Sequence, residues 1–139
     1  MVRFETSHGN FTIELFDKEA PKTVENFLQY VDDKHFDGTV FHRIVPGFVI
    51  QGGGLTKDFK QKKTRPPIEN EALNGVKNLR GSLSMARTND VNSATSQFFV
   101  NLVDNAFLDN KPASFGYAVF GRVTEGYMEI GRASCRERV

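Results

Sequence analysis

Residues 41–54 read FHRIVPGFVIQGGG. A β-like run stops at the Pro46-Gly47 turn signal, a second run follows, and three glycines close the stretch. Successive side chains of a strand point to opposite faces. Alternation therefore predicts Phe41, Arg43 and Val45 on one face and His42 and Ile44 on the other. Past the turn, Phe48 and Ile50 are expected to oppose Val49 and Gln51. Such a stretch can present a guanidinium, a benzyl group and a carboxamide to one pocket. It can equally hold a surface arginine and a core phenylalanine, and by itself it leaves both readings open.

Upstream, VRFETSHGNFTIELF reads as two strands around a turn at His8-Gly9-Asn10, with Phe11, Ile13 and Leu15 alternating against polar residues. APKTVENFLQYVDD then predicts a helix. Pro21 suits its first turn, and Val24, Phe27, Leu28 and Val31 fall on one face. Downstream, residues 55–78 are polar, with Pro66-Pro67 and the Asn74-Gly75 turn signal. So long a span is expected to wrap the surface. Strand-like runs resume at GSLSMA, SQFFVNL and FGYAVFGRV. About seven short strands and one helix point to a mainly β chain forming a closed antiparallel barrel.

The 139 residues fit one domain. Thirteen Phe and no Trp predict an aromatic core together with an aromatic-lined pocket. A net charge of +1 gives no electrostatic reason to expect nucleic acid or an anionic membrane as partner. No apolar run approaches the roughly 18 residues of a membrane span, and MVRFETSHGN lacks the apolar run of a secretory leader. A cytoplasmic protein is expected, so Asn10-Phe11-Thr12 is not read as a glycosylation site. The only cysteine, Cys135, allows no intrachain disulfide. It sits in IGRASCRERV, residues 130–139, which has neither strand nor helix period and resembles a translated sequencing adapter. We expect a domain at 1–129 and a non-native tail at 130–139. Without that tail the chain has 15 basic and 16 acidic residues.

Two further stretches carry candidate chemistry. In SATSQFFVN, Gln97 and Phe99 share a face and Phe98 turns the other way, towards the core. In VDNAFLDN, Phe107 and Leu108 form an apolar pair within a polar loop, either anchoring it or lining a site. Other chemistries find no footing. There is no GxSxG elbow and no plausible cysteine nucleophile. His8, His35 and His42 lack metal-ligand spacing, so no metal is expected. Gly52 to Gly54 do not form a nucleotide-binding loop and are read as close backbone packing, and no cofactor is expected. Lys57, Lys60, Lys62 and Lys63 read as a solvated basic loop.

In order and spacing, FHRIVPGFVIQGGG, GSLSMAR, SATSQFFV and GYAVFGRVTEG resemble the signature segments of cyclophilins, and the short bacterial members most. The resemblance runs from about Val2 to Glu129. It implies an eight-stranded closed barrel capped by helices, here lacking the second helix and the last strand. It implies peptidyl-prolyl cis/trans isomerase activity, with proline-containing peptides and folding proteins as partners. The family's catalytic arginine falls on Arg43, with Phe48 and Gln51 beside it. Its substrate-binding positions fall on Val49, Ala86, Arg87, Gln97, Phe99, Phe107, Leu108 and Tyr117. Four of these depart from the best-known pattern. Val49 shortens a wall where Met is usual. Arg87 replaces Asn, which preserves a backbone role but not a side-chain one. Phe107 replaces Trp and loses the indole donor, so cyclosporin-like ligands are expected to bind weakly. Tyr117 replaces His but keeps an aromatic wall. The alternatives are a proline-binding module with little turnover and an inactive fragment. A monomer is expected.

Overall fold

The computed structural model describes residues 2–6, 9–111 and 115–125. The 130–139 tail and the His8 turn position lie outside the described residues. Seven strands form a single antiparallel sheet, in the order β1-β2-β7-β5-β6-β4-β3. In chain order they are β1 (Val2–Thr6), β2 (Gly9–Leu15), β3 (Arg43–Val45), β4 (Val49–Gly52), β5 (Ser82–Met85), β6 (Phe98–Asn101) and β7 (Val119–Glu125). One α-helix, α1 (Pro21–Asp32), and two single-turn 3₁₀ segments (Ala72–Asn74, Ala106–Leu108) complete the described elements. None of the described helices is long and apolar enough to cross a membrane.

The sheet is strongly curled. Strands β1 and β6 are four places apart in the sheet order, about 19 Å on a flat sheet at the usual spacing. Yet the rings of Phe4 on β1 and Phe98 on β6 lie 5.5 Å apart, edge to face. Only a sheet rolled round its inner face brings them together. Inside the roll is an aromatic cluster in which Phe98 touches the rings of Phe4, Phe27, Phe36 and Phe41. The abundance of Phe in the sequence is thus spent largely here.

Helix α1 closes one end of the roll. Its buried face is Thr23, Val24, Asn26, Phe27 and Tyr30. The expected stripe of Val24, Phe27, Leu28 and Val31 is rotated: Leu28 is 40% exposed, and Tyr30 takes the inner position. Tyr30 can be buried because its hydroxyl accepts the Arg65 N–H at 2.8 Å. Ala20 precedes the helix and offers no side-chain cap. The Glu71 carboxylate, brought in from the long polar span, fills that role. It accepts from the Thr23 backbone N–H and hydroxyl, each at 2.7 Å. Free amides and the helix dipole both favour an anion at that point. The long span is therefore pinned to the surface, as Lys62 also shows. Its ammonium donates to the carbonyls of His35 (2.6 Å) and Asp37 (2.9 Å), so it is not a merely solvated cation.

The β3–β4 hairpin corrects two expectations. Strand β3 begins only at Arg43, and the chain before it bonds elsewhere, with the Val40 N–H donating to the Leu55 carbonyl. Phe41 consequently leaves the Arg43 face and enters the aromatic core. Phe48 lies in the turn and not in the strand, so it sides with Val49 and not with the core residue Ile50. Gly47, at φ 72°, takes the left-handed position that a type II turn requires after Pro46. The three glycines that follow are close-packed as expected. A Cβ on Gly52 would lie 2.8 Å from the Phe41 ring, and one on Gly54 would collide with Gln97.

Two imidazoles, His35 buried and His42 half-buried, make stability depend on pH. His35 packs between Tyr30 and Phe36, and burial, reinforced by the Lys62 charge, lowers its pKa. Burial, then the neighbouring Arg43, lowers that of His42. Both are more easily protonated in the unfolded chain, at about pH 6.5. Stability is thus complete above that pH and declines as pH falls from there through the lower folded values. Melting temperature is expected to fall between pH 7.5 and 5.5, and a constant value would contradict this.

Candidate active site

On the outer side of the β3–β4–β6 region the ladder sets Arg43 opposite Gln51, and Gln51 opposite Phe99. Side chains opposite one another across a ladder share a face, so these three, with Val45 and Val49, point away from the aromatic core. Phe98 and Ile50 point into it. A second, smaller apolar cluster forms on the outer face from Val49, Phe99 and Leu108, with Phe48, Ala86 and Tyr117 packed against it.

This cluster walls a cavity of about 160 Å³, lined by Arg43, Phe48, Val49, Gln51, Ala86, Arg87, Phe99, Leu108 and Tyr117. That is close to the roughly 150 Å³ known to admit one six-membered ring. Nine of the eleven sequence-predicted site residues thus converge on one site. Gln97 stands behind, accepting from the Gln51 Nε2 at 3.0 Å through its Oε1. Phe107 is not among the lining residues. It is 64% exposed and stacks on the outside of Phe48, with centroids 5.5 Å apart. The larger groove beside β1, about 350 Å³ and lined by Val2, Phe4 and Val31 among others, contains none of these residues.

The pocket is apolar at its floor and cationic at its rim. None of the lining side chains is acidic. Arg43 is exposed and has no ion pair or hydrogen bond among the described residues, so its donors are available to a ligand. Arg87 is differently placed, its guanidinium lying over the Tyr117 ring at 4.6 Å. Tyr117 in turn meets Phe99 edge-on, at 5.7 Å.

Several residues that hold the pocket were not singled out in the sequence. Asn105 donates through Nδ2 to the carbonyl of Phe48 (3.1 Å) and to Asn101 Oδ1 (2.8 Å). Asn78 donates through its backbone and side chain to Asp109 Oδ1. These buried amides tie the Phe48 turn to the Leu108 loop. In the sequence they look like ordinary loop asparagines, and only their three-dimensional burial sets them apart. Gly116 is also such a residue. An added Cβ would meet the backbone of Asn110, Asp109 and Leu108, the last two at 2.6 Å. Gly116→Ala is expected to cost about 1–3 kcal/mol and to displace the neighbouring Tyr117 wall. Thermal melting and peptide titration of the variant check both effects.

A rolled, mainly β sheet whose outer face carries a ring-sized cavity, bordered by a guanidinium without a partner among the described residues, defines a class: a mainly β protein with one small, partly apolar pocket on the sheet. Comparison with known proteins makes the class specific. The family model described as cyclophilin type peptidyl-prolyl cis-trans isomerase/CLD matches residues 1–132. The chain is 56% identical over 129 residues to peptidyl-prolyl cis-trans isomerase A of Dickeya dadantii, covering 93% of this chain and 67% of the relative. It is 59% identical over 128 residues to peptidyl-prolyl cis-trans isomerase cyp18 of Streptomyces antibioticus, covering 90% of this chain and 77% of the relative. Among solved structures, a cyclophilin type peptidyl-prolyl cis-trans isomerase of Cryptosporidium parvum, crystallised in the presence of the dipeptide Ala-Pro, superposes with a TM-score of 0.79. The two are 27% identical, over 96% of this chain and 84% of the other. The chain belongs to the cyclophilin-type peptidyl-prolyl cis-trans isomerase family.

Proposed function

We propose that this protein accelerates rotation about Xaa-Pro peptide bonds in unfolded and folding chains, with Arg43, Phe48 and Gln51 as its catalytic residues. One observation carries the reading: a guanidinium without a partner among the described residues borders a cavity sized for a single ring. Amide resonance resists rotation by about 18–20 kcal/mol, and uncatalysed Xaa-Pro exchange takes roughly tens to hundreds of seconds. No covalent bond breaks, so the catalyst needs only to favour the twisted amide over both planar forms. In that state the prolyl nitrogen regains its lone pair and becomes a hydrogen-bond acceptor. Arg43 donates to it, and a guanidinium keeps its charge throughout the physiological range.

Phe48, Val49, Phe99 and Leu108 grip the pyrrolidine while the preceding carbonyl swings. Excluding water from that face strengthens the Arg43 bond. Gln51, braced by Gln97, orients the guanidinium or the substrate backbone. The backbone at Ala86 and Arg87 holds the peptide, and Tyr117 forms the far wall. Phe107, whose side chain carries no N–H donor, leaves cyclosporin-like ligands weakly bound. We further propose that the protein acts in the cytoplasm as a monomer.

The finer architecture belongs to this proposal as well. The domain spans residues 1–129, with 130–139 no part of it, and the seven strands are those of an eight-stranded closed barrel. The groove beside β1, an edge strand of the sheet, supports this reading, since Val2 and Phe4 line it with Val31 and Phe36.

Exchange NMR on an Xaa-Pro peptide tests the function. Catalytic amounts of the protein are expected to raise the cis/trans exchange rate by orders of magnitude. A peptide that binds without faster exchange would leave a proline-binding module and end the enzyme reading.

A further inference from the structure

The wall formed by residues 115–117 lies outside the sheet ladder, which β7 joins only at Val119. Outside the ladder it is held by a backbone bond from Tyr117 to the Leu108 carbonyl and by side chains that reach it from elsewhere. Asn70 Nδ2 donates to the Gly116 carbonyl at 3.0 Å, and the Gly116 N–H donates to Asn110 Oδ1 at 3.2 Å. The largest share of the contacts comes from Arg87. Its Nη2 donates to the carbonyl of Phe115 at 2.8 Å and more distantly to that of Gly116 at 3.5 Å. Its Nη1 donates to the Thr88 carbonyl at 2.9 Å. With the guanidinium fixed in this way, its central carbon stands over the Tyr117 ring at 4.6 Å. The buried Nε has no acceptor among the described residues, so the group is held by its Nη atoms and the ring alone.

We propose that Arg87 is a positioning residue of the proline pocket, setting the Tyr117 wall through its side chain. This rests on the pocket being the proline site, as proposed above. It also revises the expectation that only the backbone matters at position 87. The planar, forked guanidinium reaches three carbonyl groups and lies over a ring at once. A lysine ammonium is a point donor and cannot do both. Tyr117 passes the constraint on, because its ring meets Phe99 edge-on and its N–H donates to the Leu108 carbonyl at 3.0 Å. Losing Arg87 thus loosens three walls of the pocket without removing a group that acts on the prolyl nitrogen.

The test is a double-mutant cycle of Arg87→Ala and Tyr117→Leu, with Arg87→Lys added, assayed on an Xaa-Pro peptide and by peptide titration. Arg87→Ala is expected to raise KM about three- to fivefold while kcat changes less than twofold. Arg87→Lys should lie nearer to alanine than to the wild type. In the Tyr117→Leu background, adding Arg87→Ala should change KM little further. A folded Arg87→Ala protein with unaltered KM, or an effect that persists in full without the Tyr117 ring, would overturn the proposal. If the wild type neither binds nor turns over the peptide, it is the proposed function that fails. The ring resonances of Tyr117 then decide the present point: a shift in Arg87→Ala upholds the tether, and no shift overturns it.

Discussion

Replacing Arg43 by alanine is expected to lower kcat/KM for an Xaa-Pro peptide by about 10²–10³-fold, the usual cost of deleting one preorganised donor to a charge that develops in the transition state. The expectation has two parts, and both come from position. Arg43 faces Gln51 across a ladder whose other side is the aromatic core, so the β3–β4 register places it on the pocket face. It is also exposed and without partners among the described residues, so removing it should leave the melting temperature within about 2 °C of the wild type. Arg43→Lys restores the charge but not the planar fork and should recover only part of the rate. A folded Arg43→Ala protein with activity within twofold of the wild type would remove Arg43 from the mechanism.

Phe98→Ala should produce the largest loss of stability of any single truncation, about 3–5 kcal/mol. Phe98 has no solvent exposure and its ring meets four others, from β1, α1 and the segments around Phe36 and Phe41. Those neighbours come from distant parts of the chain, so the cavity cannot collapse by a local shift. For a domain of this size the loss corresponds to a fall of roughly 10–20 °C in melting temperature. The adjacent Phe99→Ala should behave in the opposite sense, because its ring belongs to the small outer cluster and the pocket. It should lose a smaller share of stability and weaken peptide binding instead. Thermal melts and peptide titrations on the two variants give both readings. Similar melting temperatures for both would contradict the two-sided arrangement of β6.

The contrast between Phe98 and Phe99 was legible in the sequence because β6 is a regular strand, where a period of two holds. So was the start of α1 at Pro21, whereas the convergence of Arg43, Gln51 and Phe99 was implied only by the resemblance to cyclophilins. Periodicity failed where the chain is not regular. Phe41 was misplaced because the alternation was carried two residues past the start of β3, into a segment bonded to Leu55. Tyr30 was passed over in favour of Leu28, since its burial rests on a hydrogen bond from Arg65, 35 positions away. The buried amides of Asn78, Asn101 and Asn105 have no local signature at all. Asn78 and Asn105 lie in loops and Asn101 ends β6, and their partners, among them Ser82 and Ser84 on β5, Asp109 and the Phe48 carbonyl, are brought to them only by the fold. Arg87 illustrates the same limit, because its carbonyl acceptors at Phe115 and Gly116 are brought to it only by the fold.

The central claim concerns a single distance. In a crystal of the protein with a bound Xaa-Pro peptide, the pyrrolidine is expected against Phe99 and Leu108. The Arg43 guanidinium should then stand about 3 Å from the prolyl nitrogen, on the side its lone pair occupies when the amide twists. A pyrrolidine seated elsewhere, or a guanidinium turned to solvent with the ring in place, would contradict the account.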